Sequence, residues 1–126
     1  SSKFHGVIDW SWKGFDIESF ICAFDDPYLG SRTRLNDKIV YVKDAYFQPG
    51  ENTYHPFQSG LIYRISKIGI FVAVKGGSLI IRKILDKDSN LINGKVKLGD
   101  RLSSNSTDLE KNSTKVVKTQ NGLSKK

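Results

Sequence analysis

Cysteine is nearly absent from this chain of 126 residues: Cys22 stands alone, so no internal disulfide can form and the fold must be held by packing and hydrogen bonds. No hydrophobic run approaches the ~20 residues that a membrane-crossing helix needs. Together these features point to a reducing cytoplasm and away from a membrane. Histidine is scarce too. His5 lies in the N-terminal segment and His55 in a proline-flanked stretch, neither with a His, Cys or carboxylate at ligand spacing, which excludes a recognisable zinc motif. His55 is expected to fix its own loop by hydrogen bonding. Methionine is missing altogether and the chain opens on Ser1-Ser2-Lys3, so further sequence is expected upstream. The length leaves room for one domain with a modest core.

Negative charge is in short supply over most of the chain. Twenty basic residues stand against thirteen acidic ones, a net charge of +7. Residues 1–30 reverse that balance, with two basic and five acidic side chains, whereas residues 31–83 carry nine basic and three acidic. Residues 84–102 hold four against three, and residues 103–126 five against two. The positive field therefore sits on the middle of the chain. Such a field draws polyanions and speeds their capture, although a solvated basic surface with no particular partner has the same composition.

What is present divides into three stretches. Residues 1–12 read as an extended lead-in from an upstream domain, with apolar anchors at Phe4, Val7, Ile8, Trp10 and Trp12. From about Lys13 the pattern becomes helical, since Ile17, Phe20, Ile21 and Phe24 fall at i, i+3, i+4 and i+7 on one stripe. Asp16 favours the helix start, and Pro27 disfavours the helical region at Asp26, so the helix is expected to end near Phe24 or Asp25. Phe20 and Phe24 are expected buried, and Cys22 a semi-buried spacer off the stripe.

Beyond Gly30 the period falls to two. Arg32 and Arg34 alternate with Ser31, Thr33 and Leu35, and Asn36-Asp37 turns the chain into a strand over 38–43. A long loop is expected over 48–57. Three further strands are read over 61–65, 70–74 and 79–85, with a closing strand over 95–98. Five or six short antiparallel strands after one short helix favour a mainly β fold, a small closed barrel of the oligonucleotide/oligosaccharide-binding (OB) type, because closure removes exposed edges. The folded unit is expected over 13–102. Residues 103–126 are polar and basic and are expected to be a flexible tail, with Thr107-Asp108-Leu109-Glu110 fitting a capping box for a turn or two of helix.

No catalytic constellation emerges. Asp25 and Asp26 are adjacent, but carboxylates just before a proline are common helix-exit and turn residues. Gly76-Gly77 is a turn between strands rather than a phosphate loop. Trp10, Trp12 and Tyr28 are read as anchors of the lead-in to the barrel or to a further domain rather than as base-stacking residues. The remaining candidates are the basic strand residues Arg32, Arg34, Lys38, Lys43, Arg64, Lys67, Lys75, Arg82 and Lys83, because a phosphate backbone needs only cationic or hydrogen-bonding groups at the right height. Arg adds bidentate geometry.

Five landmarks occur in one order: Asp9-Trp10-Ser11-Trp12, Ala23-Phe24-Asp25-Asp26-Pro27-Tyr28, the turn Leu35-Asn36-Asp37-Lys38, then His55-Pro56-Phe57-Gln58-Ser59-Gly60 and Leu98-Gly99-Asp100-Arg101-Leu102. Together, over residues 8–102, they resemble the C-terminal domain of the methionyl-tRNA formyltransferase family and its sugar-formylating relatives. That resemblance implies an OB-like barrel. It also implies that catalysis, by an Asn, His and Asp group, and the cofactor 10-formyltetrahydrofolate belong to a separate N-terminal domain, so this chain is expected to bind no cofactor and not to formylate alone. The family's tRNA-acting members hold tRNA with a positively charged C-terminal domain, a role in protein biosynthesis that would fall here to the basic strand surface. The acidic helix exit departs from the usual methionyl-tRNA enzyme pattern, which keeps open a structural or substrate-orienting domain of a sugar-nucleotide N-formyltransferase. A free-standing single-strand binder would need aromatics displayed on the barrel face. Tyr41 and Tyr63 alternate in phase with apolar neighbours and are expected in the core.

Overall fold

A computed structural model describes residues 6–50, 58–105 and 109; His5, Phe4, His55 and the segment after residue 109 lie outside the described residues, as does most of the capping box. One helix, α1 (Gly14–Ala23), precedes six strands: β1 (Ser31–Leu35), β2 (Lys38–Pro49), β3 (Ile62–Ser66), β4 (Gly69–Val74), β5 (Gly77–Leu85) and β6 (Leu102–Ser103). The strands form one antiparallel sheet in the order β3-β4-β5-β2-β1-β6. Its ends meet. Leu102 N–H donates to the Gly60 carbonyl at 2.8 Å and Ile62 N–H to that of Asp100 at 2.9 Å, around a bridge between Leu61 and Arg101. The sheet thus curls into a small OB-like barrel, as its alternation predicts. Gly60 permits the seam, because its φ is +95° and a Cβ there would collide with the Leu102 carbonyl.

Local chemistry explains the first hairpin. Asn36 and Asp37 both adopt positive φ, 49° and 76°, the conformation of a two-residue turn whose twist matches its strands. Ser31, Thr33 and Leu35 are buried while Arg32 and Arg34 are half-buried on the other face. Beyond the turn, β2 runs on to Pro49 instead of stopping at Lys43. Its second half has no β1 beside it, and α1 with the residues just beyond it takes that place: Glu18 Oε2 accepts from Phe47 N–H at 3.0 Å and Asp25 Oδ2 from Asp44 N–H at 2.8 Å. Those carboxylates satisfy part of the edge that β1 leaves open, while the other edge of the extension pairs with β5 from Ile81 to Gly77.

The helical stripe faces the sheet, centred on Ile17 and Ile21, both fully buried. Phe20 and Phe24 flank it only half-buried, their rings in contact at a tilt of 50° with centroids 5.1 Å apart. Cys22 is exposed, a correction that follows from its place on the face turned away from β2. Tyr41 and Tyr63 also depart from expectation: both are half-buried and outside the core cluster. Tyr41 pairs with Arg32 and Leu85 on the outer face, and a register shift between Ile62 and Arg64 accompanies Tyr63 leaning toward Phe71, its hydroxyl on that of Ser78. The closing strand is Leu102–Ser103, and residues 93–95 form a 3-10 turn, because β1 has only its last two residues free for pairing there.

The rest of that β1 edge is taken by the lead-in. Ile8 N–H donates to the Arg32 carbonyl at 3.0 Å and Arg32 N–H to that of Gly6 at 2.7 Å. Thr33 ties the three segments together, since its buried hydroxyl accepts from Trp10 Nε1–H at 2.9 Å and donates to the Ser103 carbonyl at 2.8 Å. Trp12 packs edge-on against Phe20 at 5.2 Å. Both tryptophans anchor the lead-in, whereas Tyr28 is 55 % exposed. Nearby, Ser59 Oγ–H donates to the Trp10 carbonyl at 2.6 Å, and Asn36 and Asp100 join at 3.0 Å. Four of the five sequence landmarks therefore meet at or beside the seam. Among the described residues no helix is long and apolar enough to cross a membrane.

Thr33→Val keeps the shape but orphans the Trp10 N–H, and should cost about 1–3 kcal/mol in urea unfolding. Ile17→Ala and Ile21→Ala should each cost about 2–5 kcal/mol, whereas Phe15→Ala, at a residue 62 % exposed, should stay within about 0.5 kcal/mol of the parent. A Thr33→Val midpoint equal to the parent's would show that the three-way junction carries no stability.

Candidate functional site

On β5 the side-chain alternation breaks once. Leu79, Ile81 and Ile84 all enter the core, so the two residues between the last pair, Arg82 and Lys83, both remain exposed. The backbone there is supported from outside the sheet: Asn93 Oδ1 accepts from Ile84 N–H at 2.9 Å and Asn93 Nδ2–H donates to the Arg82 carbonyl at 2.9 Å. Opposite, on β2, Asp44 takes a positive φ of 54°. Two adjacent cations are thereby displayed where a regular strand shows one.

Around them the charges alternate. Lys43 and Lys83 are direct cross-strand partners, an arrangement that like charges disfavour. Asp26 relieves it, with its Oδ1 at 2.6 Å from Lys43 Nζ. The Lys43 hydrogen bond, then the Lys43 charge and more weakly the Lys83 charge, hold the Asp26 carboxyl below its usual range against a desolvation that pushes it up. Asp44 lies 3.6 Å from Arg82 Nε. Asp25 accepts from the backbone of Asp26 and of Asp44. The adjacent pair Asp25 and Asp26 is thus occupied in binding the helix exit to β2 and its basic neighbour, which is a structural use of both carboxylates.

The other candidates spread over the barrel. Lys67 sits in the β3–β4 turn and shares with Ile65, Ile68, Arg82 and Asn93 an open groove of about 220 Å³. Arg64 lies two strands from β5, its guanidinium carbon 4.9 Å from the Phe71 ring centroid. Arg32 and Arg34 stand on β1 opposite Tyr41 and Ile39. Lys38 is exposed at the start of β2. Lys75 is exposed at the far end of β4 from Lys67, its carbonyl holding Gly14 N–H at 2.9 Å. The structure therefore gathers Lys67, Arg82, Lys83 and Lys43 into one region and leaves Arg32, Arg34, Arg64, Lys38 and Lys75 around it. Sequence reasoning missed Asp26 and Asp44 as counter-charges and Asn93 as the support of β5. The first had a signal, the acidic run before Pro27; Asn93 had none. Among the described residues no group of His, Cys, Asp or Glu is placed to hold a metal ion.

Comparison with known proteins settles the family. The family model for the formyl transferase C-terminal domain matches residues 1–100. This chain belongs to that family. No curated protein matches it. In this formyl transferase C-terminal domain, a six-stranded barrel with a preceding helix forms the body of the fold.

In this domain Asp26 tempers the basic face, so Asp26→Asn should strengthen retention on immobilised heparin. The same change should flatten the acid limb of stability. A carboxylate with a lowered folded pKa adds stability above the unfolded value of about 3.9 and loses it as pH falls through the lower folded value. Denaturant midpoints from neutral to strongly acidic pH will check this; an acid limb as steep as the parent's would remove Asp26 from the network.

Proposed function

We propose that this formyl transferase C-terminal domain holds the backbone of an acceptor tRNA on its basic outer face and presents it to a separate catalytic domain that carries 10-formyltetrahydrofolate. The observation that carries this reading is the pair Arg82 and Lys83, both exposed by the broken alternation of β5, beside the groove that Lys67 enters. Lysine and arginine at fixed heights on a rigid strand meet phosphates without reading bases, so affinity depends on charge and little on sequence. Arg82 adds a planar fork suited to a phosphate oxygen pair. Lys43 stands across from Lys83, and Arg32, Arg34, Lys38 and Arg64 extend the field around them. The domain supplies position rather than chemistry, and the exposed Cys22 suits a reducing cytoplasm.

Binding of unmodified tRNA should weaken with salt, the logarithm of the association constant falling by about 0.7–0.9 per phosphate neutralised for each unit of log salt. Replacing Lys38, Lys67 and Lys83 together by alanine should lower that slope by about two to three. The same substitutions at Lys118, Lys125 and Lys126 should do less. Equal losses from both sets would reduce the effect to unspecific charge, and no tRNA binding at low salt would turn the assignment to a sugar-nucleotide N-formyltransferase.

A further inference from the structure

The segment after β5 is closely tied to that strand. Asp86 closes a turn by accepting from the backbone N–H groups of Asp88 and Asn90, each at 2.9 Å. Leu91 bridges to Leu85, and Ile92 N–H donates to the Ile84 carbonyl at 2.8 Å. The 3-10 turn Asn93–Lys95 follows. At its first residue both polar atoms of the side chain are occupied, the oxygen by Ile84 N–H and the nitrogen by the Arg82 carbonyl.

The next residue is a glycine that the fold does not require. A Cβ at Gly94 would meet nothing within 4 Å, and its φ lies outside the left-handed region. Neither packing nor backbone conformation demands it. Its effect is chemical, because an amide nitrogen flanked by no side chain is the least hindered nucleophile toward the preceding asparagine.

We propose that Asn93 is a site of spontaneous deamidation gated by the docking of this segment on β5. The Gly94 backbone nitrogen forms a bond to Asn93 Cγ, the bond from Cγ to the side-chain nitrogen breaks, and ammonia leaves with the proton from the Gly94 nitrogen. The resulting five-membered imide then takes up one water at either carbonyl, giving aspartate or isoaspartate. One water is consumed, one ammonia is released, and nothing is oxidised or reduced. In the folded domain both polar atoms of the Asn93 side chain are held on β5, which opposes its rearrangement toward the Gly94 nitrogen, so the reaction waits for local opening.

The product changes β5 itself. A carboxylate offers no hydrogen to the Arg82 carbonyl, and isoaspartate adds a carbon to the backbone of the turn. The new negative charge stands in the groove with Lys67 and Arg82. Resting on the tRNA-holding function proposed above, deamidation would weaken that grip.

The test is to incubate the full chain at mildly alkaline pH, in buffer and in concentrated urea, and to follow both asparagine–glycine pairs by peptide mass spectrometry with isoaspartate detection. Asn121–Gly122, outside the described residues, is the internal reference. In urea Asn93 and Asn121 should convert at comparable rates. In buffer Asn93 should be slower than in urea by at least about tenfold, as gating by local opening requires. Gly94→Ala, which adds a side chain in open space, should suppress conversion of Asn93 in urea without affecting Asn121. Asn93 unchanged in urea while Asn121 converts, or equal Asn93 rates in urea and buffer, would overturn the site or its gating. The deamidated form, separated by ion exchange, should bind tRNA more weakly than the parent. Equal binding by the two forms would overturn that consequence, whereas absence of binding by both would count against the tRNA function and leave the modification standing.

Discussion

Every strand edge in this small barrel must find a partner, and the edge of β1 depends on two segments from opposite ends of the described chain. Gly6 and Ile8 pair with Arg32, while Leu102 and Ser103 pair with Leu35 and Arg34. Neither segment is long enough to serve alone. Thr33 fastens both through one hydroxyl, so a single buried oxygen joins lead-in, first strand and closing strand. A five-residue strand left open would present unpaired backbone groups to other chains, and burying those groups unpaired would cost more than their bonds return. Closure is thus the condition under which the remaining side chains keep fixed positions.

The same requirement on β2 shapes the site. Its second half projects beyond β1, and Glu18 of α1 and Asp25 just beyond the helix cover that edge in place of a strand. That docking delivers Asp26 to Lys43 and the Lys83 beside it. The acidic helix exit is therefore the by-product of closing an edge, and it sets how much of the positive field is left for a ligand. Charge on this face is best treated as a balance, with Asp26 and Asp44 opposing Lys43 and Arg82, rather than as a count of cations.

The fold was largely legible where a physical period operated. Alternation marked β1 and the start of β2, Asn36-Asp37 marked the turn, and the spacing of Ile17 and Ile21 marked the buried helix face. It failed where partners come from elsewhere in the chain. The extension of β2 past Asp44 pairs with β5, which lies much further along the chain, and a two-residue β6 is too short to show any period. Tyr41 is in phase with nothing buried on its own strand, since Val40 and Val42 take the core side. The site was half visible. The candidate cations were named, but their grouping depends on the run Ile81-Arg82-Lys83-Ile84, in which two adjacent charges between core residues already signal a break in alternation. The role of Asn93 requires the tertiary structure.

If Lys67, Arg82 and Lys83 form the centre of a tRNA-holding face, the contact can be located residue by residue. Titrating isotopically labelled protein with tRNA at low salt, and following backbone amide shifts by nuclear magnetic resonance, measures this most directly. The account predicts the largest changes on β5 around Arg82 and Lys83 and in the β3–β4 turn around Lys67, with the amides of α1 little affected. Changes confined to α1, or to the residues that follow Ser103, would contradict it.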